Sequence, residues 1–333
     1  MRLARFASPD IALKLVRVAC MAALGTALTG CANLRLPDWL GGAAEANTPT
    51  ASSTRVQEAP APAVDRRELL IAVTSNHRLI TFEARAPETL LSRVPLMGLL
   101  PGESVLGIDH RVAKGQLFAL STRGRLLRID TATGDVQAVG PAVKLPVART
   151  FGVDFNPAVD RIRVVSDAGH NLRLHPDTGA QVDGDPALEG LQPDGPLAYV
   201  GDDPQAGQPP RLVAAGYTYN PDNEKLTTNY AIDARGRHLV MQGSAEGEQP
   251  VVSPNTGRLR TVGALQVQGF DHAAFDIADT NNRAYLLTGR IGSTASRLYE
   301  VDLRSGRAGF IGLVGLPRER ETLGALLGLS VVP

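Results

Sequence analysis

Short apolar runs separated by Gly, Pro, Asn, Asp and Ser fill the chain from residue 69 to its end, and they recur in a fixed order. A strand reading Gly-apolar-Asp is followed by an apolar strand, a second strand ending in Ile-Asp or Val-Asp, a Thr-Gly or Ser-Gly turn, and a strand ending in Val-Gly or Ile-Gly. The clearest copy runs Gly107-Ile108-Asp109, Leu117 to Leu120, Leu126 to Asp130, Thr133-Gly134 and Val136 to Gly140. Others open at Gly152-Val153-Asp154, Gly216-Tyr217-Thr218 and Ala274-Phe275-Asp276. The first unit, Leu69 to Val94, lacks its opening strand, and Leu327-Gly328-Leu329-Ser330 at the far end supplies it. Repetition at this period marks a radial array. A last strand that completes the first unit predicts a ring without free sheet edges. The expectation is an all-β propeller of five four-stranded blades over residues 67–333, closed by the C-terminal strand.

Helices play little part in this reading. No long stretch of the repeat region carries a 3.6-residue period, and 34 Gly with 23 Pro suit a chain made largely of turns.

The N-terminus follows a different pattern. Residues 1–30 place Arg2, Arg5, Lys14 and Arg17 before an apolar run from Val18 to Leu28, the layout of a secretory signal. The run is short for a bilayer span. Leu28-Thr29-Gly30-Cys31 resembles a bacterial lipobox, so Cys31 is the expected lipidation site, and Ala32 after it points by the same resemblance to the outer membrane. Residues 31–66 are rich in Ala, Pro, Ser and Thr and read as a semi-extended tether, with Trp39 near the lipid end or simply solvated.

Composition narrows the chemistry. Cys20 and Cys31 are the two cysteines, both at or before the lipid site, which removes disulfides, thiol catalysis and thiolate metal sites from the domain. The chain has 34 basic and 34 acidic residues, with four basic and one acidic in the first thirty, so the remainder is mildly acidic and nucleic acid is not an expected partner. There is no nucleophile elbow, no phosphate-binding loop and no dinucleotide fingerprint. Neither Asp279 to Asn282 nor Asp183-Gly184-Asp185 completes an EF-hand.

Two constellations remain as candidate sites. The third positions of the opening strands, Asp109, Asp154, Thr218, Asp276 and Ser330, should face the propeller axis as a polar ring, able to hold Ca²⁺ or another hard cation, or to tie each blade to the next. Arg161, Arg163 and Arg173, with Asp160, Asp167 and Asn171 nearby, form either an anion pocket or a salt-bridged sheet face. The six histidines have no zinc-motif spacing and read as dispersed surface residues. Tyr217, Tyr219 and Tyr230 are the aromatic residues that a partner-binding patch would use. The turns at Asp130, His175, Ser253 and Asp302, each followed three or four residues later by Thr-Gly or Ser-Gly, read as hairpin chemistry alone.

The segment Phe151 to Ser166, continuing through Asn171-Leu172-Arg173-Leu174 to Pro176-Asp177-Thr178-Gly179, resembles a bacterial family described as domain of unknown function 4394. The resemblance extends over about residues 69–332 and implies a secreted or envelope β-propeller-like domain with no assigned activity. The sequence therefore supports an envelope lipoprotein whose propeller binds or scaffolds a protein or glycan. A metal-assisted hydrolase of a lactone or glycan, working through the Asp ring, is the alternative.

Overall fold

The computed structural model describes residues 56–333. The expected signal peptide, Cys31, Trp39 and the first part of the tether lie outside the described residues. Twenty strands form five sheets, and the fold is an all-β propeller of five blades.

Blade 1 holds β1 (Leu69–Thr74), β2 (Arg78–Glu83), β3 (Leu90–Pro95) and the last strand, β20 (Leu326–Val331), in the order β20-β1-β2-β3. Blade 2 is β4 (Val105–Arg111), β5 (Gln116–Ser121), β6 (Leu126–Ile129) and β7 (Val136–Val139). Blade 3 has three strands, β8 (Phe151–Asn156), β9 (Arg161–Ser166) and β10 (Asn171–Leu174). Blade 4 has five: β12 (Leu212–Tyr217), β13 (Asn229–Asp233), β14 (His238–Gln242), β15 (Arg258–Ala264) and the short β11 (Ala198–Tyr199), which lies parallel to β15. Blade 5 is β16 (His272–Ile277), β17 (Ala284–Gly289), β18 (Arg297–Val301) and β19 (Ala308–Leu313). Four strands per blade thus holds for three blades. Among the described residues the α-helix is one short segment, α1 (Pro317–Leu323), and no helix is long and apolar enough to cross a membrane.

The innermost strands β4, β8, β12, β16 and β20 contact one another in turn around the axis. Their Gly-x-Asp phrase has a steric cause. A Cβ on Gly152 would come within 2.7 Å of the Ala214 backbone, one on Gly216 within 2.8 Å of the Phe275 ring, and one on Gly107 within 3.0 Å of Val153. Glycine therefore lets adjacent inner strands approach closely. At this level the axis is nearly filled, with a residual void of about 10 Å³.

The core lies between blades. Five apolar clusters of buried residues occupy the five junctions, and Ala72, Leu287 and Leu329, for example, fill the space between blades 5 and 1. The cluster between blades 3 and 4 draws mostly on blade 4, with Val165 as its contribution from blade 3.

The hairpin phrases do what their chemistry suggests. Asp130 Oδ1 accepts the N–H groups of Ala132 and Thr133, Asp302 Oδ1 does the same for Arg304 and Ser305, and Gly134 and Gly306 sit at φ +79° and +76°.

The end of the expected tether is ordered against blade 5. Pro60 bridges Phe310 of β19 in parallel, with Ala61 N–H to Phe310 O at 2.9 Å and Phe310 N–H to Ala59 O at 2.8 Å. Glu58 accepts from Tyr299 and Arg297, and the buried Arg66 pairs with Glu300. Residues 59–61 thus pair with the outer edge of the blade, with Glu58 and Arg66 pinning the segment on either side. An Ala/Pro-rich composition conceals this, because main-chain pairing needs no apolar side chains.

Candidate functional site

Two residues beyond each inner-strand glycine, or beyond Ala274 in blade 5, the ring positions converge on the axis. Asp109, Asp154 and Asp276 are all buried, and each offers a carboxylate oxygen lying within 4.8 Å of the others. They line a cavity of about 170 Å³ together with His110, Asp279 and Tyr217.

Each carboxylate reaches the inner strand of the next blade. Asp109 Oδ2 accepts the Phe155 N–H at 2.7 Å, Asp154 Oδ2 the Tyr217 N–H at 2.8 Å, and Asp276 Oδ2 the Val331 N–H at 2.6 Å. Ser330 Oγ accepts the His110 N–H at 3.2 Å and donates to Asp109 Oδ1 at 3.0 Å. Thr218 departs from the series: its hydroxyl accepts the Thr228 N–H within its own blade. The junction between blades 4 and 5 is tied instead by Asn282, in the turn between β16 and β17. Its side chain accepts from Tyr219 N–H and donates to Tyr219 O, both at 2.8 Å. Asn282 holds φ +54°, a conformation that asparagine tolerates better than most residues.

Asp109 Oδ1 takes the His110 N–H, and Asp276 Oδ1 takes the Ile277 N–H. Of the three side chains, only Asp154 keeps an oxygen, Oδ1, outside these protein hydrogen bonds. Burial pushes Asp109 up to about 7 and Asp279 up to about 6. Asp154 is raised well above the usual carboxylate range, first by burial and then by the charges of Asp109 and Asp276. Asp276 is raised well above it too, by burial and by Asp109. Three carboxylates this close cannot all be ionised without a counter-charge.

His110 was expected at the surface. It is 5% exposed, with Nδ1 2.9 Å from Ser330 Oγ, and burial pushes its pKa down to about 4. Its place directly after Asp109 is the sequence signal that locates it. Arg111, next in line and also buried, is bonded by Asp160 and Asp177 of blade 3.

The arginine constellation lies at the junction of blades 3 and 4. Arg163 and Arg173 stand opposite each other across β9 and β10. Their counter-ion is Asp194, in the irregular segment that follows β10. Arg163 Nη1 meets Asp194 Oδ2 at 2.6 Å, and Arg173 holds both Asp194 oxygens at 2.7 and 2.8 Å. The other nearby acids are engaged elsewhere, Asp160 with Arg111 and Asp167 with the backbone of Arg149 and Thr150. Arg163 also donates to Asn171 Oδ1, Asn255 Oδ1 and the Tyr217 hydroxyl. Asp194 could not be picked out in sequence, because a residue distant along the chain and outside any strand carries no pattern. Arg161, Arg163 and Arg173 line a second cavity of about 500 Å³, which meets the axial one at Asn156 and Tyr217. Asn171 lies behind the lining and fixes Arg163.

The tyrosines do not form an exposed patch. Tyr217 is 3% exposed, and Tyr219 and Tyr230 are half-buried.

No curated protein matches the chain. Among solved structures it is similar to the periplasmic gluconolactonase PpgL of Pseudomonas aeruginosa, at 19% identity over 80% of this chain and 70% of that one, with a TM-score of 0.33. It is also similar to TolB of Acinetobacter baumannii, at 10% identity over 76% and 55% of the two chains, TM-score 0.40. YCF48 of Cyanidioschyzon merolae is 11% identical over 77% and 74%, TM-score 0.31. The family model described as domain of unknown function (DUF4394) matches residues 78–323, from β2 to the end of α1, and the chain belongs to that family.

Proposed function

We propose that the propeller is a non-catalytic binding module, presented in the bacterial envelope from a lipid anchor at Cys31 and closed into a ring by β20 acting as a latch on β1. The single observation that carries the non-catalytic reading is how the ring carboxylates are engaged. Both oxygens of Asp109 and both of Asp276 already accept N–H or hydroxyl donors from the strands, and Asp154 Oδ1 is the one ring carboxylate oxygen without such a donor. Acid/base hydrolysis of a glycan needs two carboxylates able to exchange protons with a substrate, and a Ca²⁺ site needs six to eight oxygens. A ring engaged in this way ties blades together instead. What supports a binding role is the face around it, where the axial cavity and the larger cleft meet.

The experiment is thermal unfolding of the full chain in mild detergent at pH 7.5, with millimolar Ca²⁺ and with chelator. The expected result is the same midpoint in both. A rise of several degrees with Ca²⁺ that disappears in Asp154→Asn would mean specific binding to the folded ring, by mass action, and would bring the hydrolase reading back.

For the anchor, palmitate labelling in a bacterial host should mark the wild-type chain and leave Cys31→Ser unlabelled. Equal labelling of both would remove the anchor from the proposal.

A further inference from the structure

The junction between blades 3 and 4 is unlike the other four. Where those are filled by side chains from both neighbours, this one has its apolar cluster almost wholly on blade 4. A buried polar network, Arg163–Asp194–Asn171–Gln242, takes the place of the missing contacts, and a cleft of about 500 Å³ opens beside it. That volume is in the range of small-molecule sites. Departures from a repeat's packing rule, concentrated in one place, are where function is expected.

The cleft is cationic. Four basic side chains line it, Arg161, Arg163, Arg173 and Lys225, against Glu246 on the wall and Asp194 behind. Arg163 is 2% exposed, and four partners hold its guanidinium in one orientation. Arg173 bonds Asp194 through Nε and Nη2, which leaves Nη1 unused. Arg161 donates to the carbonyls of Val159 and Asp160, and neither it nor Lys225 pairs with a carboxylate among the described residues. Guanidinium donors fixed beforehand suit oxyanion recognition, because their ordering cost is met in folding rather than in binding.

A second observation points the same way. Both side-chain polar atoms of Asn229 and Oε1 of Gln242 are buried without a partner. The two residues face each other across β13 and β14, and Asn229 is opposite Tyr217, so all three side chains share one face of blade 4. Gln242 bonds Asn171 and Pro254, and Tyr217 and Pro254 line the cleft with Asn229 and Gln242 buried directly behind them. Buried polar atoms left unsatisfied call for water or ligand groups.

We propose that this cleft binds a small ligand bearing an oxyanion, a phosphate or a carboxylate, with Arg161, Lys225 and the unused Nη1 of Arg173 as its charge partners. The site is off the axis and does not depend on the Asp ring.

The test is calorimetric titration of the full chain in mild detergent at low ionic strength, with inorganic phosphate and separately with acetate, each against a chloride control. Low salt matters because screening weakens such contacts. The expected result is saturable binding of at least one probe. Phosphate binding alone assigns a phosphorylated ligand, and acetate binding a carboxylate one. Arg161→Gln with Lys225→Gln, which touches none of the buried network, should weaken it at least about tenfold and leave the melting midpoint unchanged. The exchange Arg161→Lys with Lys225→Arg should retain binding. No saturable heat with either probe, or equal affinity in the Gln double variant, would overturn the proposal. Neither result bears on the Ca²⁺ experiment.

Discussion

The melting midpoint of the chain should fall as pH rises from 5 to 8, by about 5–10 °C, the loss slackening as pH passes the folded values of Asp279 near 6 and Asp109 near 7. Unfolded aspartates titrate near 4. In the folded ring Asp109 is raised to about 7, Asp279 to about 6, and Asp154 and Asp276 well above their usual range. The folded state therefore binds more protons than the unfolded one across this window, and stability falls with pH. The contribution is fully present below about pH 4 and is lost as pH rises through the folded values. Asp109 alone, raised to about 7, corresponds to about 4 kcal/mol over the whole window, and a domain of this size shifts by about 2–4 °C per kcal/mol.

His110, lowered to about 4, and His272, also lowered, act in the opposite sense between about pH 4 and 6.5, where the unfolded imidazoles hold the extra protons. Above that range they no longer oppose the aspartates. Arg111, the basic residue lining the axial cavity, is held by Asp160 and Asp177 and offers the ring little compensation. Asp154→Asn keeps an acceptor for the Tyr217 N–H and removes one charge. It should flatten the profile, raise the midpoint at pH 8 and leave it nearly unchanged at pH 5. Calorimetry across pH decides this, and a flat wild-type profile would show that the ring carboxylates ionise freely.

What the sequence made legible follows from what repeats. Gly107, Gly152, Gly216 and Gly328 recur because in four of the five inner strands the neighbouring strand or its side chains lie too close for a Cβ. Asp109, Asp154 and Asp276 recur because every blade must be tied to the next. Each feature appears in four of the five blades, so both survive as a pattern, and the blade count follows from them. What was hidden is what happens once. Asn282 replaces the tie that Thr218 does not make, from a turn rather than a strand. Asp194 and Asn255 reach Arg163 from loops 31 and 92 residues away. The Arg161-Ile162-Arg163 phrase stood out as polar, yet its meaning depends on partners that no spacing rule connects to it. The missing fourth strand of blade 3 belongs to the same class. A Pro/Gly-rich stretch after Gly179 marks an insertion, but does not reveal that the insertion supplies a buried counter-ion.

Asp194→Ala should cost about 3–5 kcal/mol and lower the midpoint by about 10 °C, one of the largest effects of any single substitution in the domain. The Asp194 side chain is fully buried and compensates two guanidiniums, one of them 2% exposed. Removing it leaves the Arg163 charge between blades 3 and 4 with neutral acceptors alone, Asn171, Asn255 and Tyr217. An uncompensated buried charge is far more costly than a missing hydrogen bond. Arg173, less deeply buried at 17% exposure, can turn to solvent and recover hydration. Asp194→Asn should fall between, since the amide oxygen still accepts from Arg163. Pairing Asp194→Ala with Arg163→Met should recover much of the loss, because an apolar replacement for a buried ion pair is often close to neutral. Urea unfolding of the four chains gives the coupling directly. A cost below about 1 kcal/mol for Asp194→Ala would mean that water reaches Arg163 through the cleft. Recovery in the double variant with loss of phosphate or acetate binding would separate the two roles of this junction, since stability needs the charges matched whereas an oxyanion needs them in excess.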